Sequence, residues 1–155
     1  VLLLDGGDAL SESNAIIDYL AEDTGLYPSD RLTKARVLQW QFFEQYSHEP
    51  YIAVARYINK YLGLPESRRQ EYASKQDGGM KALGVMEQQL KLTPYLVGET
   101  YTVADISLYA YTHVADEGGF DLSTFPAVTE WLSRVKAQPG HVTMDQKQKK
   151  IARAP

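Results

Sequence analysis

Apolar positions recur every three or four residues along most of the chain, which is the period of an amphipathic helix. The exception is the start. Val1-Leu2-Leu3-Leu4 is an unbroken apolar run closed by Asp5, so Val1–Asp5 reads as a short buried strand. Gly6-Gly7-Asp8 then reads as a hairpin connection to a second short strand at Ala9-Leu10. Two strands this short need more sheet, or a partner, to persist in water. From Ser11 the period changes. Ser11 suits a helix N-cap, Glu12 falls in the first turn where the helix dipole favours an acid, and Ala15, Ile16, Tyr19 and Leu20 share a face. Gly25 ends this helix, and Leu26-Tyr27-Pro28 reads as a linker.

Asp30 is placed to cap the next helix, in which Leu32, Ala35, Leu38, Phe42 and Tyr46 line one face. Val37 and Trp40 mark a second face, which predicts a helix sandwiched between neighbours. Pro50 is expected to kink or break it, with Tyr51, Ala55, Ile58 and Leu62 carrying the spacing onward. Gly63-Leu64-Pro65 is a stop, and a long helix follows to Leu92. Asp77-Gly78-Gly79 interrupts its pattern, at about 1 kcal/mol per interior glycine relative to alanine. The stripe resumes at Met80, Leu83, Met86 and Leu90, which favours one continuous helix. Thr102-Val103-Ala104-Asp105 is a capping box, with Thr102 and Asp105 satisfying each other's amides. The helix behind it is apolar nearly all round and belongs in the middle of the fold. Phe125-Pro126 opens a last amphipathic helix carrying Val128, Trp131, Leu132 and Val135. The pattern predicts a mainly α chain: a ββα segment over 1–25, then an all-helical region over 30–144.

Composition narrows the function. The 155 residues are 44% apolar and 23% charged, a folded composition. The net charge is −4, but residues 145–155 hold four cations against one acid, which leaves −7 on the rest. An acidic body argues against a nucleic-acid surface, and the basic tail reads as a solvated end. Cysteine is absent, which excludes disulfides, CxxC redox pairs and thiolate metal sites within these residues. No apolar run approaches the roughly 20 residues of a bilayer span. The first residue is Val1 rather than Met, so further chain is expected before it. The three histidines form no metal-binding pair, and no metal site is expected. His48 precedes Pro50 and either faces a cleft or is a surface or kink residue; His113 is expected in the core and His141 at the surface. Asp105 is accounted for by the capping box.

Ser11-Glu12-Ser13-Asn14-Ala15-Ile16 puts a hydroxyl and free amides at a helix start directly after a strand. Such a turn is either ordinary capping or a site for a small anion. Glu12 beside it suits an ammonium group, so an α-amino acid end would fit the pair.

The same residues carry a family resemblance. The strand at Val1–Asp5, Leu10 to Ile16 with Tyr19-Leu20, Pro94-Tyr95-Leu96-Val97-Gly98, Thr102 to Ile106, and Phe125-Pro126 before Trp131-Leu132 are together similar to a bacterial glutathione S-transferase. The likeness covers about residues 1–144. It implies the end of a thioredoxin-like domain followed by the family's all-α domain. It implies a cytoplasmic homodimer, with glutathione and a hydrophobic electrophile as ligands. By resemblance, Glu12 and Ser13 hold the γ-glutamyl end of glutathione, with Ser13 on its carboxylate. The family's first strand, first helix, second strand and proline-bearing turn are expected before Val1, and its thiol-activating Tyr, Ser or Cys with them. The implied chemistry is attack of the glutathione thiolate on an electrophile. Its pocket would lie against the helix pair around Pro50, where His48, Tyr51 and Tyr46 are candidates; core packing is the other reading of these three. A non-catalytic binding or assembly module of the same fold, and a reductase or isomerase, remain alternatives. The strand edges are expected to be covered by further chain or by a second copy.

Overall fold

In the computed structural model, which describes residues 1–143, the chain opens on a tight hairpin. β1 (Leu2–Leu3) pairs antiparallel with β2 (Ala9–Leu10), Leu2 opposite Leu10 and Leu3 opposite Ala9. Gly7, at φ +88°, closes the turn by donating to the Leu4 carbonyl at 2.9 Å. The hairpin is not buried as its sequence predicts: Val1 is 88% and Leu3 75% exposed. The described residues supply only this two-stranded sheet, and its Leu3–Ala9 pair is exposed while its Leu2–Leu10 pair is half-buried. The basic tail expected at 145–155 lies outside the described residues.

α1 (Ser13–Ala21) begins after Glu12 rather than after Ser11, and α2 (Arg31–Phe43) is capped by Asp30, whose side chain accepts the Thr33 amide. α2 does not break at Pro50. It runs through a π-turn at Glu44–His48 into α3 (Glu49–Arg56) and a second π-turn at Tyr57–Tyr61. Pro50 sits in the first turn of α3, just where the wider turn changes register, so its missing amide and its ring are accommodated.

α4 (Arg69–Leu90) is continuous through Asp77-Gly78-Gly79. Each glycine has a packing reason. A Cβ on Gly78 would fall inside the Tyr51 ring, and one on Gly79 inside the Phe120 ring. α5 (Val103–Thr112) and α6 (Pro126–Lys136) follow, with proline in the first turn of α6. α5 touches α1, α2, α3 and α6, which gives it the central place its sequence predicts. Glu87 of α4 accepts the Val128 amide at 3.0 Å, so a carboxylate from one helix satisfies an orphan donor at the start of another.

The main core gathers Ile52, Leu83, Met86, Leu108, Phe120 and Trp131. A second cluster joins Ala21 of α1 to Val37, Val103 and Ala104, with Ile17, Leu26 and Trp40 packed on it. That cluster seats α1 on the helical bundle. The Leu26 carbonyl accepts the Val103 amide at 3.0 Å, so the linker also caps α5. Among the described residues no helix is long and apolar enough to cross a membrane.

Candidate functional site at the start of α1

The chain enters α1 through Glu12, whose φ of +68° lies in the left-handed region. A side-chain-bearing residue held there stores about 1–3 kcal/mol of strain, a feature that concentrates at ligand sites. The first helical bond runs from the Ile16 amide to the Glu12 carbonyl at 2.9 Å. No side chain caps this end, so the amides of Ser13, Asn14 and Ala15 have no partner among the described residues. Glu12 and Ser13 are both exposed. Three open donors, a hydroxyl and a carboxylate therefore surround one helix start.

Behind this turn the packing is polar and closed. Asn14 accepts from the Ser107 hydroxyl at 2.6 Å and donates to Glu44 Oε2 at 3.3 Å. Gln45 donates to the same oxygen at 2.7 Å. Burial pushes the Glu44 carboxyl above its ordinary range, and Glu49 pushes it the same way, while the bonds from Gln45 and Asn14 oppose this. One turn along, Gln41 donates to Asp18 at 2.6 Å, and burial is again what raises the Asp18 carboxyl. A cavity of about 330 Å³ opens between α1 and α2, with Glu12, Asn14, Asp18, Gln41, Leu38 and Phe42 on its walls.

The electrophile-pocket candidates fare differently. His48 is wholly buried, with Nε2 2.8 Å from Thr112 Oγ1, so it faces no cleft; its partner on α5 draws it inward. Tyr51 is half-buried with its ring against Gly78, so it serves helix packing there. Tyr46 is 81% exposed and is not in the core. His113 is not buried as predicted. It lies flat on Tyr109, rings 4.6 Å apart, and its Nδ1 donates to the Tyr109 carbonyl at 2.7 Å. His141 is half-buried rather than exposed, edge-on to the same ring. These three residues line a wide groove between α5 and α6.

Thr102 and Asp105 form the capping box their spacing predicts. Asp105 is buried and accepts from the Leu96 amide, the Thr102 amide and the Trp131 indole at 2.8–3.0 Å. Its work is structural. Among the described residues no three His, Cys, Asp or Glu side chains gather to hold a metal. Sequence reading did not single out Glu44, Ser107, Asp18 or Gln41. Their partners lie 23 to 93 residues away, and no local pattern encodes such pairings.

Comparison with known proteins agrees with this architecture. The family model described as glutathione S-transferase, C-terminal domain, matches residues 39–139. A crystal structure of a glutathione S-transferase from Pseudomonas fluorescens is 60% identical, with a TM-score of 0.91 over 93% of this chain and 72% of that one. The disulfide-bond oxidoreductase YfcG of Escherichia coli is 32% identical over 138 residues, 87% of this chain and 63% of the relative. Elongation factor 1-gamma of Artemia salina is 36% identical over 116 residues, 72% of this chain and 26% of the relative. The chain thus spans under two thirds of the length of either of these two curated relatives. The helical bundle is of the family's C-terminal type, the ββα start precedes it in the expected order, and the chain belongs to the glutathione S-transferase family.

Proposed function

We propose that the protein is a glutathione transferase, and that the turn at Glu12-Ser13 binds the γ-glutamyl end of glutathione. The observation that carries this is the start of α1: amides of Ser13, Asn14 and Ala15 with no partner among the described residues, an exposed Ser13 hydroxyl, and the Glu12 carboxylate beside them. The amides and hydroxyl receive the ligand carboxylate, helped by the helix dipole, and Glu12 receives its ammonium. Both charges at one end of the tripeptide are then matched. In this reading the thiol end points away, toward a thioredoxin-like part expected ahead of Val1. There a donor holds the sulfur as thiolate, from an ordinary thiol pKa of about 8.5. The thiolate attacks the electrophilic carbon, a carbon–sulfur bond forms, and the leaving group departs with the bonding pair. No described residue is assigned to that activation. The co-substrate is a small hydrophobic electrophile, and the protein works as a cytoplasmic homodimer.

The test is titration calorimetry of the full-length protein with glutathione, together with turnover of chlorodinitrobenzene. Ser13→Ala is expected to weaken glutathione binding about 10-fold or more, the size of a lost hydrogen bond to a charged group. Unchanged affinity removes the site assignment. A second reading has its own support: the likeness to an elongation factor suits a non-catalytic assembly module of this fold. Glutathione binding without turnover of chlorodinitrobenzene, or of a disulfide substrate, favours that reading. Turnover of the disulfide alone points to a reductase, in keeping with the oxidoreductase relative.

A further inference from the structure

We propose that Glu44, Asn14 and Ser107 are positioning residues for the glutathione site: their side chains hold the Glu12–Ser13 turn in its strained binding geometry and do not themselves touch the ligand. This rests on the reading of that turn given above. Three observations converge.

The first is the strain. Glu12 stands at φ +68°, and a residue persists there only when its surroundings over-determine it. The second is the scarcity of other restraints. In the first turn of α1, Asn14 is the residue whose side chain is tied to the bundle by hydrogen bonds among the described residues. Its amide is used at both ends, the oxygen by Ser107 of α5 and the nitrogen by Glu44 beyond α2. A side chain occupied at both ends is not available to a ligand, so its effect on binding must pass through the backbone it anchors. Asn14 follows Ser13 directly, about 3.8 Å away along the chain. The third is where Glu44 sits. It is the first residue of the π-turn and is 4% exposed. A buried carboxylate needs donors, and it has them in Asn14 and Gln45, both on Oε2. A π-turn is an uncommon feature that concentrates at functional sites, and here it carries the residue that reaches across to α1.

The network thus links the helical bundle to the ligand turn. Loosening it lets Glu12 relax toward ordinary backbone angles, and the open amides lose their common aim. Affinity for glutathione falls, while the chemistry at the sulfur, which these residues do not approach, is unchanged once the site is filled.

The experiment measures the glutathione Kd by calorimetry, and KM and kcat for chlorodinitrobenzene conjugation, on the full-length protein. Asn14→Ala and Glu44→Ala are expected to raise Kd and KM for glutathione at least five-fold, and Glu44→Ala is expected to keep kcat at saturating glutathione within two-fold of wild type. Glu44→Gln keeps a carbonyl oxygen where Oε2 accepts its two bonds, so it is expected to restore Kd to within two-fold. Ser107→Ala removes a single oxygen, and its smaller rise in Kd, two- to three-fold, serves if Asn14→Ala does not fold. The proposal is overturned if Ser13→Ala weakens binding but these variants leave Kd unchanged, or if Glu44→Gln is as impaired as Glu44→Ala. If Ser13→Ala itself has no effect on Kd, the underlying site assignment falls and this inference with it.

Discussion

His48 Nε2 and Thr112 Oγ1 sit 2.8 Å apart in the core, and the proton between them can be assigned. Thr112 has one hydroxyl hydrogen, and its oxygen lies 2.6 Å from the Leu108 carbonyl one helical turn back. The hydroxyl donates there. The His48 ring must therefore carry its hydrogen on Nε2 and donate to Thr112, which leaves Nδ1 as a bare acceptor. Nδ1 indeed has no partner among the described residues. The opposite tautomer would bury an unpaired N–H. The imidazole nitrogen shifts in an NMR spectrum at pH 7 are expected to show the Nε2–H form for His48.

The same burial sets a pH dependence. Desolvation pushes the His48 pKa from 6.5 down to about 3. Between those values the unfolded chain binds a proton at this site and the folded chain does not, so stability falls as pH falls. The contribution is complete above the unfolded value and declines through the window below it. Urea denaturation between pH 6.5 and 5 is expected to show a loss on the order of 1 kcal/mol per pH unit. His48→Gln removes that slope. A slope that survives the substitution assigns it to other groups.

Asp105 has a different economy. Its buried carboxylate collects the Leu96 amide, the Thr102 amide and the Trp131 indole, which ties the loop before α5, its first turn and α6 to one point. Burial raises its pKa, and these bonds pull the other way without winning. Asp105→Ala strands three buried donors at once and is expected to cost about 3–5 kcal/mol by chemical denaturation, with loss of soluble expression at 37 °C. Thr102→Val keeps the carboxylate and is expected to cost about 1 kcal/mol. A cost for Asp105→Ala below that of Thr102→Val would show that the three donors find water instead.

What the sequence revealed follows from how local each signal is. The Thr102–Asp105 box and the Asp30 cap span three residues, and both are present. The continuous α4 was legible because the apolar stripe resumes after Gly79. The two apolar faces of α2 fare differently. Leu32, Leu38, Phe42 and Tyr46 have helical spacing, but they are exposed, while Val37 and Gln41 on the other side are buried. Periodicity reports that a face is apolar, and it does not say whether its cover is the same chain or another molecule. The sequence leaves His48 open between a cleft and a surface or kink position, because its partner, 64 residues on, leaves no trace in local pattern. At the site, Glu12 and Ser13 stood out as a motif, whereas the strain at Glu12 and the bridge to Glu44 exist only in three dimensions.

The glycines of α4 provide an internal control on packing. Gly84 has open space where a Cβ would stand, and Gly78 has the Tyr51 ring there. Gly84→Ala is expected to stabilise the protein by about 0.5–1 kcal/mol through helix propensity alone. Gly78→Ala gains the same propensity, but the ring must move, and the net effect is expected to be a loss of about 1–3 kcal/mol. Tyr51→Ala alone opens a void, so the double variant Gly78→Ala/Tyr51→Ala should be less destabilised than the two single costs combined. Additive costs in that cycle would mean that the ring and the helix do not meet.

The exposed face of α2 bears on assembly. Leu38 is 41%, Phe42 64% and Tyr46 81% exposed, spaced to form one ridge along a helix that continues through the π-turn. An apolar ridge of this extent is uncommon on a surface that meets only water. Its charges are also uneven: Arg31, Lys34 and Arg36 lie at the N-terminal end, and the half-buried Glu49 at the other. Two copies laid antiparallel about a two-fold axis would bury the ridge on itself and set each basic end against the other's acidic end. The full-length protein is therefore expected to run as a dimer in light scattering at micromolar concentration. Phe42→Glu places a charge at the centre of the ridge and should weaken the dimer at least 10-fold, whereas Tyr57→Glu, on an exposed residue of the second π-turn, should not. A dimer indifferent to Phe42→Glu would put the contact on another face and leave the ridge to be covered by other chain.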